Sequence, residues 1–166
     1  HYSILQQLKQ DITETGTAIL PTAITGLGGI GKSTLIREAM ITAAQFGYVT
    51  LDISQPKDLL HPRFALRRLL AEITSPNLPE KTPFRNTPWR IKTYLGNNYN
   101  PAWEGDIERY FQHAEHQVNL TSIIECCVSL LLTLSQTSPV FIWISNMHWA
   151  SKETLDIIRS IVDELY

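Results

Sequence analysis

The spacing of apolar residues along the chain predicts helices that alternate with a few short strands. Apolar residues at Ile4, Leu5, Leu8 and Ile12 recur at helical intervals and predict a first helix from Tyr2 to Thr13. The same periodicity, with flanking glycine and proline, predicts further helices over 34–46, 63–73, 89–95, 102–118, 122–134 and 152–165. Short apolar runs predict strands over 22–25, 48–53 and 140–144.

The last of these strands indicates the type of sheet. Residues 140–144 are five consecutive apolar side chains, which is typical of a strand covered on both faces. Such strands belong to parallel sheets that lie between helices. We therefore expect the α/β class, with a parallel sheet flanked by helices. Two helix starts are also predicted: a capping box from Ser122 to Glu125, and a cap at Ser151.

Composition limits the class of protein. The 166 residues are enough for one domain, and a net charge of −2 gives no reason to expect nucleic acid or an anionic membrane as the main partner. The longest apolar run, 128–134, is too short to span a bilayer. The adjacent Cys126 and Cys127 are interpreted as buried small side chains in a reducing cytoplasm, with a vicinal redox pair as the alternative.

The most informative motif is a glycine-rich segment between the first predicted strand and the second helix. Residues 26–33 read GLGGIGKS and fit the phosphate-binding pattern G-x-x-x-x-G-K-[ST] at every fixed position. In this motif backbone amides surround phosphate, Lys32 reaches the β- and γ-phosphates, and Ser33 ligates Mg²⁺. The expected nucleotide contacts are Gly26, Gly28, Gly29, Ile30, Gly31, Lys32, Ser33 and Thr34.

Two other interpretations of the glycines remain. Gly26, Gly28 and Gly31 also satisfy the dinucleotide fingerprint G-x-G-x-x-G, with Asp52 near the position of a ribose-binding acid. That fingerprint does not require Lys32 and a following serine. A purely structural glycine turn is the second alternative. For Asp52, the alternative to ribose binding is a strand-end capping or turn residue.

Two further groups of polar residues are ambiguous. His113 and His116 lie three positions apart on a predicted helix, which suits either a solvated face or an incomplete metal pair. Arg63, Arg67 and Arg68 suit an exposed basic helix face, or a contact with phosphate in a neighbouring subunit.

Two motifs carry a resemblance to a known family. Residues 25–35 resemble the phosphate loop of the STAND ATPases, a class of regulatory and defence ATPases. Residues 140–150 resemble the second nucleotide motif of the AAA-like bacterial branch, whose tail is matched at 147–150 by Met-His-Trp-Ala. The resemblance spans most of the chain but is specific at these two motifs, and the segment between them matches nothing in the family.

The resemblance implies a P-loop NTPase fold with five parallel strands in the order 5-1-4-3-2. It also implies ATP or ADP with Mg²⁺ as cofactors, with metal contacts from Ser33 and from the first acid position of the second motif. In the family the second acid polarises the attacking water. Here the two positions are Ser145 and Asn146, so we expect a degenerate catalytic site with weak or absent hydrolysis. Glu153 or Asp156 could serve instead.

The organisation that follows is a single nucleotide-binding domain over 1–166, interrupted by a helical insertion of unknown role over 54–136. The strand between the first and third would come after Tyr166, so the chain is expected to be the N-terminal half of the module. The resemblance implies a cytoplasmic regulatory switch that self-associates through the ATPase module and carries further domains. The alternatives are a DNA-associated AAA+ loader or transposition ATPase, and a pseudo-ATPase scaffold that binds nucleotide without turnover.

Overall fold

The computed structural model describes residues 2–14, 24–25, 31–54, 63–75, 84–112 and 117–166. The α-helices of this part of the chain are α1 (Tyr2–Glu14), α2 (Lys32–Gln45), α3 (Phe64–Thr74), α4 (Thr87–Leu95), α5 (Glu104–Gln112), α6 (Leu120–Ser135) and α7 (Lys152–Leu165). The strands are β1 (Val49–Ser54) and β2 (Val140–Ser145). The predicted α/β class is therefore confirmed, with helix as the dominant element.

The sheet of the described residues has two parallel strands. β1 pairs with β2 in a register that runs from Val49 opposite Val140 to Ser54 opposite Ser145. The second and third predicted strands are thus confirmed and are direct neighbours. Of the first predicted strand, residues 22–23 lie outside the described ranges. Ile24 and Thr25 are described and are not part of a strand.

Helices cover both faces of β2. Phe141 and Trp143 pack against a core cluster formed by α1 and α2. The alternate residues Val140, Ile142 and Ile144 pack against a larger cluster that α3, α4, α5, α6 and α7 build with β1. Successive side chains of a strand point to opposite faces, so a continuous apolar run can serve two cores at once. Every β2 residue nevertheless keeps part of its surface exposed.

The larger cluster includes the adjacent cysteines. Cys126 and Cys127 are each 1% exposed on α6, and neither forms a disulfide. Burial raises the pKa of Cys126 to about 12. The interpretation of the two cysteines as buried small side chains is therefore confirmed. A thiol shielded from water packs as an apolar group does.

The start of α6 differs from the predicted capping box. The side chain of Asn119, not Ser122, accepts the capping hydrogen bond from the Thr121 amide. Ser122 lies inside the helix, where its hydroxyl donates to Asp106 at 2.9 Å. The prediction was wrong because a Ser-x-x-Glu pattern reflects only a local spacing. Here the Ser122 hydroxyl instead donates its hydrogen bond to Asp106 on α5.

Other helix ends agree more closely with the prediction. Ser151 caps α7 as predicted, accepting from the Thr154 amide at 3.2 Å. The predicted helix over 102–118 is shorter in the structure, because residues 101–103 form a 3-10 turn and 117–119 are not helical. Residues 113–116, which include His113 and His116, lie outside the described ranges. Within the described residues, no helix combines the length and apolarity needed to cross a membrane.

Candidate phosphate-binding site

The described part of the glycine motif begins at a residue in left-handed conformation. Gly31 has φ 87° and ψ 14° and directly precedes α2. Side chains with a Cβ are disfavoured in this region, so glycine meets a backbone requirement here. The Gly31 carbonyl accepts the first helical hydrogen bond, from the Leu35 amide at 3.0 Å. The helix thus begins two residues earlier than predicted, at Lys32.

The first turn of α2 contains backbone donors and no acidic residue of its own. The first amides of a helix lack partners within the helix, and the helix dipole makes this end positive. No side chain caps the helix at Gly31, and its first turn contains no acidic residue. Ser33 and Thr34 are exposed, while Lys32 is half-buried. This end of α2 can therefore accept an anion without first displacing a carboxylate from the helix itself.

The connection between α2 and β1 fixes which edge of the sheet α2 begins at. Three residues, 46–48, separate the end of α2 from the start of β1, and α2 packs on the sheet through Leu35, Ile36, Ala39 and Ala43. A 14-residue helix and a six-residue strand have similar lengths, about 20 Å each. The chain therefore reverses, and the start of α2 lies towards the carboxyl ends of the strands. Ligands of parallel α/β folds bind at that edge.

The second motif ends at the same edge. Ser145 is the last residue of β2 and pairs with Ser54, the last residue of β1. Asn146 follows in left-handed conformation, with φ 58° and ψ 30°, and is exposed. Asparagine is among the few residues that tolerate this conformation. The two positions at which the resemblance predicts acids are therefore at, and directly after, the carboxyl end of β2, but neither supplies a negative charge.

The two alternative acids have different surroundings. Glu153, in the first turn of α7, accepts two hydrogen bonds from Arg63, at 2.6 and 3.1 Å. Both carboxylate oxygens of Glu153 are therefore engaged by Arg63 and are not directed at the strand ends by any hydrogen bond among the described residues. Asp156 is exposed on α7. The described residues contain no group of three or more potential metal-ligating side chains close enough to hold an ion.

The remaining predicted nucleotide contacts, Gly26, Gly28, Gly29 and Ile30, lie outside the described residues. Asp52 does not end its strand, because β1 continues to Ser54. It is exposed and lies opposite Trp143. The structure thus brings the described half of the glycine motif and the ends of both strands to one edge of the sheet.

The arginines of α3 form a feature that sequence reasoning missed. Arg63 and Arg67 are only 4% and 6% exposed, and Arg68 pairs with Glu72. The predicted exposed basic face is therefore wrong. The contrary signal was present in the sequence, because α3 reads FALRRLLAEIT and is apolar on most sides. A helix of that pattern is buried, and its arginines must then find partners inside the protein.

Comparison of the chain with protein-family models, with curated proteins and with solved structures found no match. The assignment of a function therefore depends on the chemistry of this edge of the sheet.

Proposed function

We propose that this chain is a nucleotide-binding module of the P-loop NTPase type that binds ATP or ADP with Mg²⁺. The observation that carries the proposal is the Gly31-Lys32-Ser33 segment. It completes the glycine motif, places a left-handed glycine directly before a helix, and starts that helix at the carboxyl edge of a parallel sheet. A structural glycine turn would not need a lysine and a hydroxyl at these two positions.

The chemistry of the segment suits a triphosphate. The amides and positive dipole end of α2 attract the phosphate oxygens, since no acid of the first turn competes for them. Lys32 adds a full positive charge that can reach the β- and γ-phosphates. Ser33 is exposed, so its hydroxyl is available to ligate the Mg²⁺ that accompanies the nucleotide.

The sheet also supports this type of fold. In the strand order 5-1-4-3-2, the second strand lies beside the third. β1 and β2 correspond to the second and third predicted strands, and they are paired with each other. β2 carries apolar residues on both faces, as interior strands do, yet no other strand pairs with its second edge among the described residues. A groove beside β2 is lined by Ile12, Ile24, Ile36, Phe141 and Trp143. A further strand in this groove would extend the sheet beyond β2.

We further propose that the module is a STAND-type regulatory switch with weak hydrolysis. Hydrolysis of a phosphoanhydride needs an ordered metal and an oriented water, and enzymes supply both chiefly through positioned charge. Ser145 and Asn146 carry none, and Glu153 is paired with Arg63. Binding without rapid turnover would leave the protein in a long-lived nucleotide state, which suits a switch controlled by exchange or self-association. The same observation favours a pseudo-ATPase scaffold as the second candidate.

Calorimetric titration with ATP and Mg²⁺ tests the proposal. Lys32→Ala should weaken binding about tenfold to a hundredfold, because it removes a charge-assisted contact of roughly 1.5–3 kcal/mol. Lys9→Ala is the matched control, since it removes an exposed lysine from α1 without touching the motif. Equal affinities for the wild type, Lys32→Ala and Lys9→Ala would reject nucleotide binding at this loop. Retained binding with no turnover would favour the scaffold.

A further inference from the structure

A buried cluster of charged and aromatic residues lies on the face of the sheet opposite α2. Arg63 and Arg67 are one helical turn apart, and their guanidinium carbons lie 4.8 and 5.7 Å from the centre of the Tyr110 ring on α5. Tyr110 is 0% exposed and belongs to the larger core cluster, whereas the start of α2 packs with the smaller one. The cluster is thus separated by the sheet from the phosphate-binding loop.

One arginine of the cluster shows how such a side chain is satisfied here. Arg63 donates from Nε to Oε1 of Glu153 at 2.6 Å, and from Nη2 to Oε2 at 3.1 Å. Nε and Nη2 lie on the same side of a guanidinium, so they form a planar fork that matches the two oxygens of a carboxylate or phosphate. The fork of Arg63 is therefore filled by a two-oxygen anion.

The other arginine has the same fork without an acceptor. Nε and Nη2 of Arg67 are buried and lack a hydrogen-bond partner among the described residues, and so does the hydroxyl of Tyr110. Burial lowers the pKa of Arg67 and raises that of Tyr110. Since arginine stays protonated in proteins, the described part of the cluster contains two cations and the single carboxylate of Glu153. A buried charge without a counterion is strongly unfavourable, so the geometry leaves one negative charge to be supplied.

We propose that the fork of Arg67 binds a small oxyanion, a phosphate or a carboxylate, with the Tyr110 hydroxyl as a further donor. The two unpaired nitrogens are the pair that Arg63 uses on Glu153, which favours a ligand with two oxygens in one plane over a single water or halide. A water would satisfy hydrogen bonds but would leave the charge uncompensated. Glu153 lies in the first turn of α7, which begins shortly after the carboxyl end of β2, so the site lies towards the end of that strand.

The test uses inorganic phosphate and acetate as separate probes, at constant ionic strength, on the Lys32→Ala protein. This background removes the contribution of the phosphate-binding loop, so the two sites can fail independently. Calorimetry measures the affinity, and the Nε–H resonance of Arg67 reports contact with the ion. We expect one ion to bind and to shift this resonance. A stronger response to phosphate than to acetate would identify a phosphate site, and the reverse would identify a carboxylate site.

Variants of the cluster complete the test. Arg67→Lys keeps the charge but has no fork, so affinity should fall about tenfold or more. Tyr110→Phe removes one hydrogen bond with little change of shape and should weaken binding about twofold to tenfold. Arg68→Lys is the matched control, because Arg68 is engaged by Glu72. Unchanged binding in Arg67→Lys, or an Arg67 resonance that neither probe moves, would overturn the proposal.

Discussion

Replacement of Asp106 by alanine should measurably destabilise the helical part of the fold. Asp106 lies in the first turn of α5 and accepts three hydrogen bonds. They come from the Asn119 amide at 3.1 Å, the Ser122 hydroxyl at 2.9 Å and Nη2 of Arg109 at 2.7 Å. Two of these donors belong to the start of α6, so a single carboxylate ties α5 to α6.

The expected magnitude follows from the exposure of each donor. The Ser122 hydroxyl is buried and would lose its acceptor, while the Asn119 amide lies nearer to solvent and can be partly rehydrated. The Arg109 side chain is 51% exposed, so solvent screens its contribution to at most about 1 kcal/mol. We expect Asp106→Ala to lower the free energy of unfolding by roughly 2–4 kcal/mol, since hydrogen bonds to a charged acceptor contribute about 1.5–3 kcal/mol each when they are shielded from solvent.

Urea denaturation measures this loss as a lower midpoint with an unchanged slope. Asp163→Ala is the matched control, because Asp163 is 72% exposed and its nearest cationic nitrogen, on Arg159, is 3.9 Å away. Asp163→Ala should lower the free energy of unfolding by no more than about 0.5 kcal/mol. If Asp106→Ala is as mild as Asp163→Ala, the three hydrogen bonds do not stabilise the fold and the reasoning fails.

The effect should also depend on pH. The hydrogen bond from the Asn119 amide, together with those from Arg109 and Ser122, lowers the pKa of Asp106 in the folded protein. The stabilisation is therefore fully present above the unfolded pKa of about 3.9 and is lost as the pH falls through the lower folded pKa. The difference in unfolding free energy between wild type and Asp106→Ala should be constant from pH 7 to pH 5 and should shrink towards pH 2. A difference that grows on acidification would contradict this sign.

Two other predictions concern the strand edge and the thiols. Single-turnover hydrolysis by the wild type should be slow, and the double variant Ser145→Asp with Asn146→Glu should accelerate it by about a hundredfold, the scale of a general base. Several turnovers per second in the wild type would show that another acid does the work. Because burial raises the pKa values of Cys126 and Cys127, both thiols should react slowly with an aromatic disulfide reagent at pH 8 in the native protein and rapidly in urea. Rapid reaction of both native thiols would contradict their burial.

The parts of this protein that the sequence alone determined are local. Helical spacing predicted α1 and α7 to within a residue at their ends, and the apolar run at 140–144 predicted β2. A hydrophobic period of 3.6 or 2 residues is visible in consecutive positions of the sequence. It can therefore be recognised without knowing which surface the element packs against. The glycine motif likewise stands in one short stretch, and it predicted a helix start at residue 34, two residues after the observed start at Lys32.

The features that only tertiary structure decided join residues far apart in the chain. The apolar pattern of α3 indicates that this helix is buried, but Arg63 and Glu153 are 90 positions apart, so nothing local indicates that Arg63 pairs with a carboxylate on α7. Ser122 had a suitable spacing for a capping box, but its hydroxyl donates a hydrogen bond to Asp106 on α5 instead. In each case a polar side chain is placed by a distant partner, because a buried polar group must be satisfied wherever the packed core puts it.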